Sequence, residues 1–394
     1  MKNQTVLISG AGIAGPTLAY WLARHGFRPT VVERSAVVRS SGSPIDVRGR
    51  AVEVAERMGI MPRIRDAGTD VIGMRFVNAN GRQVGRVNMR ALRSAAGSRE
   101  VELPRGDLAS ILYAASREHA EFLFDDFIVK LEQDAGGVDV SFNRAPRRRF
   151  DLIVGADGLH SAVRRLSFGP ESGFVRHMGI YVATMRLGGP FESGREVVMY
   201  NTPGRAVAIH PSRADALAFF AFRSAAVPDF DYRDTGQHKR LLAAAFADAA
   251  WRVPELLTRS QRSDDLYFDS VSQVRLPHWS QGRIALLGDA ASSVSLFGDG
   301  SSLAMAGAFT LAAELAAAPN DHELAFRRYE SKHRALVGPK QQGVAQAAAL
   351  LIPATRFGVA VRNLATRLWP AAAAAMWLGR RLARGSKPPD HLTV

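Results

Sequence analysis

Val6-Leu7-Ile8-Ser9-Gly10-Ala11-Gly12-Ile13-Ala14-Gly15-Pro16-Thr17-Leu18-Ala19 decides the fold. An apolar run leads into Gly-x-Gly-x-x-Gly, and Leu18, Ala19, Leu22 and Ala23 then recur at helical spacing, the pattern of a buried parallel strand turning tightly into a helix. Gly10 permits the turn, Gly12 lets backbone approach a pyrophosphate with no side chain in the way, and Gly15 lets helix and strand pack closely. The phosphate then meets free N–H groups at a helix N-terminus. Working outward, Pro29-Thr30-Val31-Val32-Glu33-Arg34 supplies a second, β-branched strand whose acid stands 18 residues beyond Gly15, where a carboxylate reaches ribose hydroxyls. The combined spacing implies a bound dinucleotide, with NAD and FAD both open.

At 394 residues the chain is long enough for two domains with substantial cores, and 47% hydrophobic with 22% charged residues is a globular composition. It has no cysteine, which excludes disulfides, thiolate metal sites, CxxC redox chemistry and cysteine-linked flavin, and no HxH or HExxH spacing suggests a metal. Met1-Lys2-Asn3-Gln4 runs directly into the first strand without room for a signal peptide, so cytoplasm is the expected location. The net charge of +14 raises nucleic acid or an anionic membrane as partners. The basic residues are spread along the chain, however, and the one dense run is Arg147-Arg148-Arg149, so a solvated arginine surface and no nucleic acid are expected.

Along the chain, Arg39 to Arg50 reads as a loop rich in Gly, Ser and Pro, followed by a helix carrying Val52, Val54, Ala55, Met58 and Ile60. Residues 71–103 alternate as strands around the turn Asn78-Ala79-Asn80-Gly81. A helix opens at Arg105; Phe122 to Gln133, Val138 to Asn143 and Phe150 to Gly155 read as three strands; and Asp157-Gly158 leads into another helix. From about 174 to 275 the pattern is strand-like, with one helix at about 235–250. Gly282 to Asp289 restores the buried-strand pattern, an Ala-rich helix runs from about Ser301 to Ala317, and the chain beyond Asn320 is mostly helical to about Arg384. The expected division is a discontinuous dinucleotide-binding domain (1–70, 102–173, 276–340), a β-sheet domain (71–101, 174–275) and a C-terminal helical segment (341–394).

Three motifs thus stand in order: Gly10-x-Gly12-x-x-Gly15, Asp157-Gly158-x-x-Ser161-x-Val163-Arg164, and Gly288-Asp289-Ala290-Ala291. As a set, covering about 340 residues, they make the chain resemble the class A flavoprotein monooxygenases, the family of para-hydroxybenzoate hydroxylase and the tetracycline-inactivating flavin monooxygenases. The resemblance implies an α/β fold: a Rossmann-like, three-layer FAD-binding domain with a mostly parallel sheet, an inserted mixed or antiparallel sheet that binds substrate, and a C-terminal helical segment. It implies non-covalent FAD held by Gly10, Gly12, Ala14, Gly15, Glu33, Arg34, Arg39, Asp46, Arg105, Asp157, Gly158, Asp289, Gly298 and Gly300. Among these, Arg39 matches an NADPH-contacting arginine and Asp46, seven residues on, a flavin-contacting aspartate. Asp157, Asp289 and Asp299 each have a competing use as helix N-caps. The chain departs from the family pattern where Gly-Asp-Ala-Ala-His and a later proline are usual, having Ser292 for the histidine, Leu296 or its neighbour for the proline, and one residue fewer before Gly298-Asp299-Gly300.

The implied activity is hydroxylation or epoxidation of an aromatic or polyketide-like small molecule, using O2 and NADPH or NADH, with a flavin C4a-hydroperoxide as the oxidant and no catalytic side chain. Phe76, Met199, Tyr200, Phe219, Phe220 and Phe222 are expected to line the substrate site at the domain boundary, with His210 and Tyr200 as candidates to orient a phenol or enol. The alternatives are a flavin reductase or dehydrogenase on the same fold and a non-catalytic, flavin-bearing ligand-binding protein. The apolar, arginine-bearing stretches 354–364 and 369–384 are expected to pack on the flavin domain rather than lie on a membrane. Monomer and homodimer both remain open.

Overall fold

The computed structural model describes residues 3–38, 42–91, 99–191, 194–212, 215–294 and 299–367. The opening strand Thr5–Ser9 is buried on both faces and lies between two parallel neighbours, Arg28–Glu33 and Leu152–Gly155. Adding Glu121–Phe124 on one side and Ile284–Leu286 on the other, both parallel, with the short antiparallel edge Ser280–Gln281, gives a six-stranded sheet. Continuous apolar strands such as Val6-Leu7-Ile8 and Leu152-Ile153-Val154 are what such a sheet requires, because both faces are covered. Helices Ala14–Arg24, Arg105–Ser116 and Asp299–Ala317 pack together on one face. On the other lies a three-stranded antiparallel layer of Ile128–Asp134, Gly137–Phe142 and Arg148–Phe150, with helix Ala162–Ser167.

A second sheet of seven strands is mixed, in the order Tyr267–Val274, Val175–Arg186, Leu217–Arg223, Arg205–His210, Glu196–Thr202, Gly73–Val77 and Gln83–Asn88. All its neighbours are antiparallel except Gly73–Val77 against Glu196–Thr202. The turn at Asn78–Gly81 closes the last hairpin, with Gly81 at φ +75°. Helices Thr235–Ala245 and Val253–Arg262 cover one face of this sheet through Leu242, Phe246, Val253 and Leu256.

Several elements differ from the sequence expectation. Within the expected loop at 39–50, Ile45–Val47 is a strand paired with Val101–Leu103. Phe122 to Gln133 is two strands in different sheets, because Asp125 adopts φ +59° and Asp126 accepts the backbone N–H groups of Phe127, Arg144 and Ala145 at the break. A second helix, Val253–Arg262, follows the expected one, started by Trp251 at φ +58° and Pro254 in its first turn. Helix His322–Leu351 runs unbroken through the expected boundary at 340–341, then turns by 91° into Arg356–Arg367. That last helix packs on the second sheet and not on the first: Arg367 Nε donates to Val84 O at 2.7 Å and Arg362 lies over Phe76. The stretch 369–384 lies outside the described residues. Helix Asp299–Ala317 is the one described helix long and apolar enough by itself to cross a membrane, and most of it is buried in the protein.

Candidate functional site

The first turn is built as its glycines demand. Gly10 adopts φ +106°, and a Cβ on Gly15 would stand 1.9 Å from the Gly10 carbonyl oxygen, so the turn closes only without that atom. A Cβ on Gly12 would meet nothing within 4 Å, which leaves an open approach in front of the helix. Helix Ala14–Arg24 has no side-chain cap and no acid in its first turn, so its leading N–H groups are available to an anion. Glu33, at the end of the neighbouring strand, accepts the Ala11 N–H through Oε2 at 2.8 Å and the Ser35 N–H through Oε1 at 2.8 Å, which fixes its carboxylate at the rim of the turn. Arg34 lies over the Phe127 ring, 4.7 Å from its centroid.

The third motif is set against the first. A Cβ on Gly288, which adopts φ +64°, would lie 3.3 Å from the Ala14 methyl group. Asp289 follows, and among the described residues its carboxylate has no hydrogen-bond partner; a Cβ on Gly300 would lie 3.5 Å from its Oδ1. Burial pushes its carboxyl above the usual carboxylate range, Arg105 opposes this, and Asp269 of the second sheet adds to it. Arg105 stands exposed at the start of helix Arg105–Ser116, its Cδ beside Gly42. An uncapped helix start, an open glycine, a fixed acid and a partnerless recessed carboxylate beside an arginine together fit the diphosphate and polyol portions of FAD.

Asp157 is used differently from the expectation. Its Oδ1 accepts from the Ser161 hydroxyl, while Oδ2 accepts from Ala162 N at 2.8 Å, Val163 N at 3.2 Å and Ser9 Oγ at 3.3 Å. The carboxylate caps helix Ala162–Ser167 and ties it to the first strand, and burial pushes its carboxyl up. Gly158, at φ +79°, faces open space. Arg164, wholly buried, joins the second and third motifs: Nη2 donates to Leu159 O at 2.6 Å, Nη1 to Ala290 O at 3.1 Å, and Glu171 lies 3.5 Å away. Its place in the motif was visible in the sequence; its bridging of two distant loops was not.

Asp299 opens its helix, but its Oδ1 is answered by Arg48 (Nη2 at 2.7 Å, Nε at 2.9 Å) and by Lys340 at 3.3 Å. Arg48 Nη1 lies 3.7 Å from Asp46, and Ser302 Oγ donates to Asp46 O at 2.7 Å, so the Asp46 strand is sewn to the start of that helix. Arg39, Leu296 and Gly298 lie outside the described residues. Ser292, in the histidine position, is nearly buried and borders a recess of about 330 Å³ lined also by Val274, Trp279, Arg334, Val337 and Gln341.

The two sheets meet at His160, which is stacked on Tyr232 with ring centroids 3.8 Å apart. Its Nδ1 lies 2.9 Å from Glu171 Oε1, and its Nε2 3.2 Å from Asp269 Oδ1 on the edge strand of the second sheet. Burial would lower its pKa, but the two carboxylates outweigh this and raise it to about 9. Asp269 and Val271 therefore mark the sheet face turned toward the first sheet.

That face separates the expected substrate residues. Phe76 and Met199 lie on it, paired across the ladder, with Ala208 next and the half-buried Phe219 beyond. Tyr200, Phe220 and Phe222 point to the opposite face and form the core under helices Thr235–Ala245 and Val253–Arg262, so these three do not share a site with Met199. Alternation along a strand forbids it. His210 shares the inward face, but both ring nitrogens are engaged: Nε2 with Glu102 Oε1 at 2.6 Å and Nδ1 with Pro211 O at 2.9 Å. Neither nitrogen is left to take a substrate proton.

Residues 3–338 match the family model described as an FAD binding domain. An uncharacterized protein of Mycobacterium tuberculosis (strain H37Rv) is 39% identical over 342 residues, 86% of this chain and 92% of its own length. A flavin-dependent monooxygenase of Legionella longbeachae is 35% identical over 351 residues, covering 86% and 88% of the two chains. The crystal structure of tetracycline destructase Tet(51) superposes with a TM-score of 0.81 at 31% identity, over 92% of this chain and 95% of that one. The chain thus belongs to the FAD-binding-domain family of flavin-dependent monooxygenases.

Proposed function

We propose that this FAD-dependent monooxygenase takes electrons from NADPH or NADH and places one oxygen atom from O2 into an aromatic or polyketide-like small molecule, by hydroxylation or epoxidation. Bound FAD supplies the electron transfer and the oxygen activation. The protein's part is positioning and exclusion of water. Gly10, Gly12, Ala14 and Gly15 would seat the pyrophosphate of FAD on the helix start, Glu33 and Arg34 would flank its adenosine end, and Arg105 and Asp289 would hold the far phosphate and the polyol chain. Asp46 and Gly300 would border the ring end; Arg39 and Gly298, assigned to the same cofactor, lie outside the described residues. Asp157 and Gly158 act by shape, Asp157 through its cap and Gly158 through the open space before it. Substrate lies on the apolar face of Phe76, Met199 and Phe219, in the part of the chain we assign to substrate (71–101 and 174–275), opposite the flavin part (1–70, 102–173 and 276–340).

The observation that carries this proposal is that strand Tyr267–Val274, which presents Asp269 and Val271 on the inward face, packs on the short helix Asp289–Ser292, and Gln341 Nε2 donates to both Val274 O and Ser293 O, so this face overlooks the third turn. The kinship with a tetracycline destructase supports a polycyclic, oxygen-rich substrate. The test is to load the purified protein with FAD, compare NADPH with NADH as reductant, and screen phenolic and polyketide compounds for accelerated oxidation with an oxygenated product. Acceleration without such a product from any compound would assign a reductase instead.

A further inference from the structure

Two arginines of the described chain are almost entirely buried, and they differ in how their charge is met. Arg164 has the Glu171 carboxylate and two carbonyl oxygens. Arg362, on helix Arg356–Arg367, is 8% exposed. Its guanidinium carbon stands 4.0 Å from the centroid of the Phe76 ring. Nη2 donates to Asn201 Oδ1 at 3.0 Å and Nε to Asn363 Oδ1 at 3.1 Å, while Nη1 is enclosed with no partner. No described carboxylate pairs with it. Asn201 is itself fixed, since its Nδ2 donates to Leu351 O at 2.9 Å and Arg205 O at 3.2 Å, so its oxygen is held toward the guanidinium.

A guanidinium stays charged in proteins, and burial without a counter-charge is costly. The aromatic face of Phe76 offsets part of that cost and two amide oxygens another part. The positive charge and the two N–H bonds of Nη1 remain unanswered. Their location gives this meaning: Phe76 is the cross-strand partner of Met199, so the guanidinium covers the Phe76 end of the apolar face assigned to substrate.

We infer that Arg362 is a specificity-determining residue that receives an anionic oxygen of the substrate, a carboxylate or an ionised enol or phenol, while the ring system extends from there along the face toward Met199 and the half-buried Phe219. This rests on the proposed use of that face. Planar guanidinium pairs such oxygens in bidentate fashion, and a water-poor site strengthens the pair. Arg362 takes no part in the oxygen chemistry; it selects and orients.

The test uses the FAD-loaded full chain and two isosteric probes, 2-naphthoate and 2-naphthamide. Binding is read by perturbation of the flavin absorbance and by the rise in melting temperature. The wild type is expected to bind the carboxylate about tenfold or more tightly than the amide. Arg362→Gln is expected to lose this preference, and Arg362→Lys to keep part of it. A merely structural arginine would lower the melting temperature when replaced without changing the ratio between the probes. Equal binding of the two probes to the wild type, no binding of either, or an unchanged preference in Arg362→Gln overturns the inference. Should Arg362→Gln fail to fold, the wild-type ratio and Arg362→Lys still decide. Failure here with oxygenation of a neutral substrate intact removes this inference alone, whereas naphthoate binding without oxygenation of any compound removes the functional proposal alone.

Discussion

The turns around Gly10, Gly158 and Gly288 and the seven-stranded sheet are specified by different physics. In the turns, backbone conformation and close approach dictate the residue: a side chain at Gly15 has no place to go. In the sheet, nearly every position on the central strands is apolar, and what matters is the face on which it falls. Phe219 and Phe220 are neighbours in sequence, yet one is half-buried on the inward face and the other is wholly buried under two helices. The turn region therefore admits no side chain at Gly15 but has room for one at Gly12, while the sheet tolerates change on one face and not on the other.

The sharpest break in this contrast comes from paired substitutions within the turn. Gly15→Val should prevent the turn from closing, costing about 3 kcal/mol or more and yielding protein without flavin, measured by flavin absorbance per chain and by thermal unfolding. Gly12→Ala should keep the fold, because its methyl group meets nothing within 4 Å, while weakening FAD by about ten- to hundredfold, the effect of a clash of about 1–3 kcal/mol borne by the ligand. If both variants lose stability alike, the space before Gly12 belongs to the protein and not to the cofactor.

The sheet offers the next largest effect. Phe220→Ala should lower stability by about 3–5 kcal/mol, the range for a buried phenylalanine, with little change in the KM of the enzyme that remains folded. Phe219→Ala should cost less stability and raise KM. Denaturant unfolding beside steady-state kinetics checks both, and a reversal of the two patterns would put substrate on the wrong face.

The smallest effects belong to the contacts that join or stiffen the two regions. His160 is raised to about 9, above the value of 6.5 for an unperturbed ring, so its contribution is complete below pH 6.5 and is lost as pH rises through 9. His333, buried without a partner for either ring nitrogen and lowered to about 4, acts in the opposite direction: stability falls as pH drops from 6.5 toward 4. Melting temperature against pH should slope on both sides. His160→Asn should flatten the alkaline side and His333→Phe the acid side; an unchanged alkaline slope in His160→Asn would deny the latch between the sheets.

How much was legible in the sequence follows from the same contrast. Glycines and acids at fixed spacing encode local backbone, so the opening β-α-β unit, the turn at Asn78–Gly81 and the helix after Gly300 could be read directly. The inward and outward faces of the Phe219-Phe220 strand could not, because both are apolar and no polar alternation marks either. Asp157 was legible as a turn residue, but whether its carboxylate faces ligand or helix amides depends on Ser9, 148 positions away. The contact of Arg362 with Asn201 spans 161 positions, and no local pattern announces it.

Mass spectrometry of the product formed by FAD-loaded enzyme, NADPH and heavy-isotope dioxygen tests the central claim most directly. A single heavy oxygen atom in the organic product, formed in step with NADPH consumed, is the predicted result. Consumption of NADPH with hydrogen peroxide as the sole oxygen product, for every phenolic and polyketide compound tried, would contradict it.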